Sequence, residues 1–213
     1  MEVLPELRDG SAFDGTASGL ARAIHPEREL ARLRDQLEVC DSHANRVALA
    51  QEFVRLGKYD EAIPLFRRSL TGLYKDDPDA LFGLARVCFL SSSCAEARQI
   101  LDRLMQLHAD YKTGECRLLL ARILEGSNAV EAALTEYESQ LGSATGQESK
   151  CRYALLLKKL GQVEKANTLF EQILKAVSRS PRYYRKTQSQ WVEIAKRNLA
   201  ENSAKESAHP PQG

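Results

Sequence analysis

The sequence has no long hydrophobic run, no excess charge of either sign and few aromatic residues. The longest runs of aliphatic residues have four members, for example residues 118–121. A membrane-spanning helix needs about 20 consecutive apolar residues. Lys and Arg number 30 against 29 Asp and Glu, which argues against a uniformly basic nucleic-acid-binding protein. Hydrophobic residues make up 43% of the 213 positions and charged residues 28%. This composition predicts a soluble globular chain rich in helix.

Cysteine and histidine are too few and too scattered to build a cross-linked or metal-bound fold. The five cysteines stand at positions 40, 88, 94, 116 and 151, and no two have Cys-x-x-Cys spacing. An odd number without paired spacing predicts neither a disulfide framework nor a closed zinc site. The N-terminus has no basic start followed by an apolar run, so we expect no signal peptide. We therefore expect reduced cysteines, a cytoplasmic location, no metal and no cofactor.

An internal repeat occupies the middle of the chain. Two alanine columns recur at offsets of 35, 36 and 33 residues, always separated from each other by 12. The first column is Ala50, Ala85, Ala121 and Ala154, and the second is Ala62, Ala97, Ala133 and Ala166. A large apolar residue follows each second-column alanine by four positions, which places both on one helix face. The pattern predicts antiparallel helix pairs that cross closely at the alanines.

A third column lies between the two helices of each repeat, where the chain must reverse. It consists of Gly57, Ser92, Asn128 and Gly161. Glycine and asparagine tolerate the left-handed backbone that ends many helices, and serine tolerates it less well. We therefore expect the second repeat to turn differently from the other three.

These columns resemble the tetratricopeptide repeat (TPR), a helix pair of about 34 residues, over residues 43–178. The residue pairs that match the family's Leu-Gly step are Leu49-Ala50, Leu84-Ala85, Leu120-Ala121 and Tyr153-Ala154. The family's tryptophan is replaced by Arg46, Leu81, Arg117 and Lys150. The resemblance implies an all-α fold, a right-handed TPR α-solenoid of four helix-turn-helix repeats with a capping helix at each end.

The remaining segments complete the expected organisation. An apolar stripe over Leu30, Leu33 and Leu37 predicts an N-terminal capping helix at 26–42, and the stripe that includes Trp191 and Ala195 predicts another at 179–200. Residues 1–25 should be flexible and 201–213 a disordered tail, because both are rich in small and polar residues. The chain also resembles the soluble part of bacterial TPR proteins that carry an N-terminal membrane segment. That resemblance implies a membrane-associated protein if the natural protein carries such an N-terminal segment.

In TPR arrays the first helix of each pair lines a concave groove. The resemblance places in this groove the residues three before, one after and four after the first-column alanines. The candidate set is Val47, Gln51, Phe82, Arg86, Phe89, Leu118, Arg122 and Lys158. Apolar members would anchor a ligand and the arginines would bind a carboxylate. The resulting hypothesis is a non-catalytic scaffold that binds a peptide or helical segment of a protein partner; the alternative is that these side chains pack against neighbouring helices.

Two other functions fit particular residues. Segment 175–199 contains seven Lys or Arg and one Glu, so an accessory factor that contacts nucleic acid or an anionic membrane through this basic C-terminal helix is the alternative function. We favour a capping helix with solvated charges there. An enzyme would have to use Cys151, whose neighbours Lys150 and Arg152 could lower a thiol pKa, but no histidine base can be placed nearby. We expect no catalysis and no small-molecule substrate.

Overall fold

Every regular element in the described part of the chain is helical. The computed structural model describes residues 26–142 and 147–208, so the flexible segment predicted at 1–25 and the end of the predicted tail lie outside it. These described residues form α1 (Pro26–Val39), α2 (His43–Arg55), α3 (Tyr59–Ser69), a 3-10 turn (Gly72–Tyr74), α4 (Pro78–Leu90), α5 (Cys94–Leu107), α6 (Thr113–Gly126), α7 (Val130–Ser139), α8 (Glu148–Lys159), α9 (Val163–Ser178), α10 (Arg182–Thr187) and α11 (Ser189–Ala208).

Side-chain caps explain where two of the first helices of the repeats begin. The Ser42 hydroxyl accepts a hydrogen bond from the backbone N–H of Asn45 at 3.2 Å, at the start of α2. Asp77 accepts from the N–H of Ala80 at 2.9 Å, and Pro78 then occupies the first position of α4. Both caps satisfy N–H groups that have no partner inside the helix, so the local sequence fixes these starts.

Both alanine columns lie in the core, as the repeat predicts. All eight alanines have an exposed fraction of 0%. The large residues that follow the second column are equally buried, and they are Phe66, Leu101, Tyr137 and Phe170. Small and large side chains therefore alternate at the helix crossings, which allows the helices of a pair to approach closely.

The turn column has one conformation in all four repeats. Its φ angles are 73° at Gly57, 65° at Ser92, 61° at Asn128 and 80° at Gly161. In the second repeat Ser92 N–H donates to the Phe89 carbonyl at 3.0 Å and Ser93 N–H donates to that of Cys88 at 2.8 Å. The other three turns repeat this pair of bonds, which is the Schellman closure of a helix. The expectation of a different second turn was wrong, because the hydrogen bonds that close the helix hold serine in the left-handed region.

The contacts divide the described residues into two compact units, the first ending at Ser93 and the second beginning at Cys94. In the first unit, α1 packs against α2, α2 packs against α3, and α4 packs against both α3 and α2. In the second unit, α5 packs against α6, α6 against α7, α7 against α8, and α8 against α9. Each unit is thus built from neighbouring helices in chain order.

The last helix of the second unit covers the end of the repeats. Helix α11 packs against α9 and α8, just as α4 packs against α3 and α2, so it takes the place of the first helix of a further repeat. Its Trp191, Ile194 and Ala195 are buried. It extends to Ala208, past the expected end at residue 200, because residues 200–208 include Ala, Glu and Lys and lack Gly and Pro.

Candidate functional site

The first-helix face of the first unit consists of the candidate residues on α2 and α4. Gln51 is exposed, whereas Val47 is 8% exposed and forms part of the core. Phe82, Arg86 and Phe89 are half-buried and follow one another at intervals of four and three, so they form a single stripe along α4. We call these three residues the Phe-Arg-Phe stripe. Helix α4 therefore presents two large aromatic rings outside the core.

A glycine that was not among the predicted candidates sets the position of this stripe. A Cβ atom added to Gly83 would lie 2.4 Å from Cε1 of Phe66, a ring that is fully buried on α3. Only glycine therefore permits the observed approach of α4 to α3. An isolated glycine inside a helical pattern is the sequence signal for such a contact, and Gly83 follows Phe82 directly.

On α6 of the second unit, the structure places one predicted anchor in the core. Leu118 is 9% exposed and packs in a cluster with the core residues Ala121, Ala133, Tyr137 and Leu156. Leu118, like Val47, therefore offers little surface to a partner. The cluster draws residues from α6, α7 and α8, so the next repeat covers this position.

The predicted groove arginine of the same helix, Arg122, faces a carboxylate of its own chain. The Nη1 atom of Arg122 lies 4.0 Å from Oε1 of Glu148, and Arg152 donates to that oxygen at 2.7 Å. The three side chains are 13%, 21% and 14% exposed, respectively. The guanidinium of Arg152 also lies 5.5 Å from the centre of the Trp191 ring. Glu148 thus links the first helices of two repeats.

Three further hydrogen bonds tie this face of the second unit together. The hydroxyl of Tyr137 donates to Glu125 at 2.9 Å. Burial raises the pKa of Tyr137 well above its usual value, and the negative charge of Glu125 raises it further. Lys158, another predicted groove residue, donates to Asn198 at 2.8 Å and to Glu201 at 3.0 Å. Its ammonium group is therefore held by α11.

The thiol considered as a nucleophile lies in the core. Cys151 has an exposed fraction of 0%, and burial raises the pKa of its thiol to about 12 in spite of the neighbouring Arg152. A protonated, inaccessible thiol is a poor nucleophile. Among the described residues, no group of three His, Cys, Asp or Glu side chains is placed to hold a metal ion. Across the same residues, no helix combines the length and apolarity needed to cross a bilayer.

Comparison with known proteins identifies the repeat. Two models described as tetratricopeptide repeat match the sequence, one at residues 47–112 and the other at 152–180. This chain is a TPR protein. The matches and the all-helical architecture confirm the predicted TPR α-solenoid class. No curated protein sequence matches this TPR protein significantly.

Solved structures share the fold of this TPR protein. One described as "Crystal structure of MamA" is 12% identical with a TM-score of 0.55, covering 86% of this chain and 95% of that one. Another, "MamA MSR-1 C2", is 15% identical with a TM-score of 0.56, covering 76% and 99%. At these identities the similarity shows the fold alone. The TPR fold is typically a non-catalytic scaffold for protein–protein interaction.

The family pattern also explains the last helix. In α11, Trp191, Ile194 and Ala195 follow the spacing of the family's Trp-x2-Leu-Gly motif. The sequence prediction missed this correspondence because Ala195 lies 41 residues after Ala154, farther than the earlier offsets. The capping helix of this TPR protein is thus built like the first helix of a repeat.

Proposed function

We propose that this TPR protein is a non-catalytic scaffold that binds a peptide or helical segment of a protein partner on the first-helix face of its first unit. The observation that carries the proposal is the half-buried Phe-Arg-Phe stripe. Its neighbours Leu81, Leu84 and Cys88 already fill the core side of α4. The stripe therefore remains on the side of α4 where a ligand can pack.

The chemistry of the stripe defines the ligand. Aromatic and arginine side chains dominate the binding energy of protein interfaces. Phe82 and Phe89 would pack against apolar side chains of the partner, and Arg86 between them would bind a carboxylate through paired N–H donors. The exposed amide of Gln51 on α2 supplies a donor and an acceptor for a peptide backbone. The preferred ligand has an acidic residue between two apolar ones.

The candidate residues of the second unit have a different part in this proposal. Arg122 is oriented toward Glu148, and Lys158 is bonded to Asn198 and Glu201. A ligand would have to displace these contacts before either cation could bind it. We therefore assign Arg122 and Lys158 to holding the second unit together.

The test is affinity capture from a cell lysate with purified protein, followed by titration of each captured partner. The variant Arg86→Glu removes the proposed carboxylate contact, and Phe82→Ala/Phe89→Ala removes the apolar anchors. Arg67→Glu on α3 is the matched control, because Arg67 is exposed and the substitution changes the net charge equally.

We expect a partner that binds wild type and the control alike and binds both stripe variants at least about tenfold more weakly, the loss typical of interface hot spots. Far-UV circular dichroism must show equal helicity in all four proteins. A partner that binds all four equally would contradict the proposal and place the binding site elsewhere on the chain.

A further inference from the structure

A charged surface lies at the C-terminal end of the second unit. Segment 175–186 contains five cations and no Asp or Glu, although the whole chain has a net charge of only +1. All five side chains are exposed, and they are Lys175, Arg179, Arg182, Arg185 and Lys186. We call these five residues together with Tyr183 the basic patch. The rest of the sequence therefore carries a net negative charge.

Local electrostatics accounts for only part of the basic patch. Lys175 and Arg179 lie at the C-terminal end of α9, where the helix dipole favours a cation. Arg182, however, is the first residue of α10, where a cation is disfavoured. Arg185 and Lys186 follow Arg182 by three and four residues, so both lie on the same face of α10 as Arg182 and repel it. A bound anion would relieve this repulsion.

The neighbouring cations on α11 show how such charges are normally balanced. Lys196 lies 2.9 Å from Glu193, and Arg197 lies 3.8 Å from Glu201. None of the five cations of the basic patch forms an ion pair with any residue in the described part of the chain. The patch therefore keeps its full charge available to a ligand.

An exposed aromatic ring completes the basic patch. Tyr183 is 70% exposed, an unusual exposure for so large a ring. The adjacent Tyr184 is half-buried, and its hydroxyl accepts a hydrogen bond from Nε2 of Gln147 at 3.1 Å. Gln188 accepts from the backbone N–H of Gln147 at 2.9 Å. These bonds hold α10 in place and present Tyr183 and the cations to solvent, so the surface is preformed.

We propose that the basic patch binds an acidic segment of a protein partner. Arginine binds carboxylates through paired N–H donors, and tyrosine with arginine is the typical composition of an interface hot spot. A membrane would need an apolar face, whereas Trp191, Ile194 and Ala195 are buried. Single-stranded nucleic acid would need several exposed aromatic rings for base stacking, and segment 175–199 exposes one, Tyr183. The basic patch is independent of the Phe-Arg-Phe stripe.

The test measures binding of a fluorescein-labelled polyglutamate peptide by fluorescence anisotropy at low and moderate salt. Arg182→Glu/Arg185→Glu disrupts the basic patch. Lys196→Glu/Arg197→Glu on the adjacent helix is the matched control, because it changes the net charge by the same amount. We expect binding at least about tenfold weaker in the patch variant and within about twofold of wild type in the control, since two charge-assisted contacts are lost only in the former.

Further variants separate the contribution of the tyrosine ring from that of the arginine charges. Tyr183→Ala should weaken binding several-fold and Tyr183→Phe should retain most of it, because the ring supplies the packing. Arg182→Ala/Arg185→Ala should also weaken binding, and equal helicity by circular dichroism excludes misfolding. Arg67→Glu, an exposed charge reversal on α3 outside both proposed sites, should leave the polyglutamate affinity unchanged.

Three outcomes would overturn the proposal. The first is no binding of polyglutamate to wild type, and the second is equal weakening in the patch variant and its control. The third is tighter binding of labelled oligo(dT), or of phosphatidylserine vesicles, with loss confined to the patch variant. The third outcome would assign the basic patch to a phosphate-bearing ligand.

Discussion

The same repeat positions have different surroundings in the two units of this TPR protein. In the first unit, Phe82 and Arg86 lie half-buried along α4. In the second, the equivalent Leu118 packs in the core and the equivalent Arg122 faces Glu148. The adjacent first-column alanines are identical and fully buried in both. The repeat thus determines how the helices pair, and the neighbouring elements determine whether a groove position is accessible.

This contrast gives the two faces different physical properties. The face of the first unit offers aromatic area and a guanidinium group, which suits ligand binding. The face of the second unit uses its charges for internal bonds that link α6, α8 and α11. Removing one partner of a partly buried pair is costly, because it leaves the other charge uncompensated. In the second unit these charges therefore act in packing, whereas ligand binding by the first unit is the proposal tested above.

The largest effect is expected from Gly83→Ala, which breaks the first unit. The added methyl group would lie 2.4 and 2.5 Å from two atoms of the buried Phe66 ring and must displace it, so the overpacking should cost about 3 kcal/mol, the upper end of the usual range. Alanine's higher helix propensity offsets about 1 kcal/mol at most. Urea unfolding followed by circular dichroism measures the loss. Gly142→Ala is the control, because its added Cβ would meet nothing within 4 Å. A Gly83→Ala variant as stable as wild type would show that α4 does not require this close approach.

A smaller effect is expected from Glu148→Gln, which removes the shared carboxylate of the second unit. The loss of a charge-assisted hydrogen bond from Arg152 and of the attraction to Arg122 should cost about 1–2 kcal/mol. The cost should change little with salt, because partly buried pairs are screened much less than exposed ones. Glu193→Gln is the matched control: its pair with Lys196 is exposed and should contribute less than about 0.5 kcal/mol. Equal effects of the two substitutions would refute an internal role for Glu148.

The sequence predicted the helix pairs well because their signals are local. Alanine spacing and the turn column each lie within one repeat, and both appear in the structure. The accessibility of Leu118 could not be predicted, since it depends on the cover supplied by the next repeat. The role of Gly83 depends on Phe66, a contact between two repeats. Periodicity within one sequence reports a residue's own helix face and says little about what covers it.

The smallest effect is expected when glycine replaces the turn residue Ser92 in the first unit or Asn128 in the second. Ser92 and Asn128 both adopt positive φ, where a side chain is strained and glycine is not. Ser92→Gly in the first unit relieves this strain, but glycine also makes the unfolded chain more flexible. The net result should be a rise of about 0.5–1 kcal/mol in the free energy of unfolding. Asn128→Gly in the second unit should gain less, because asparagine tolerates this conformation better. Urea unfolding of both variants measures the difference. Equal gains would mean that the closing hydrogen bonds, rather than the side chain, set the strain at these turns.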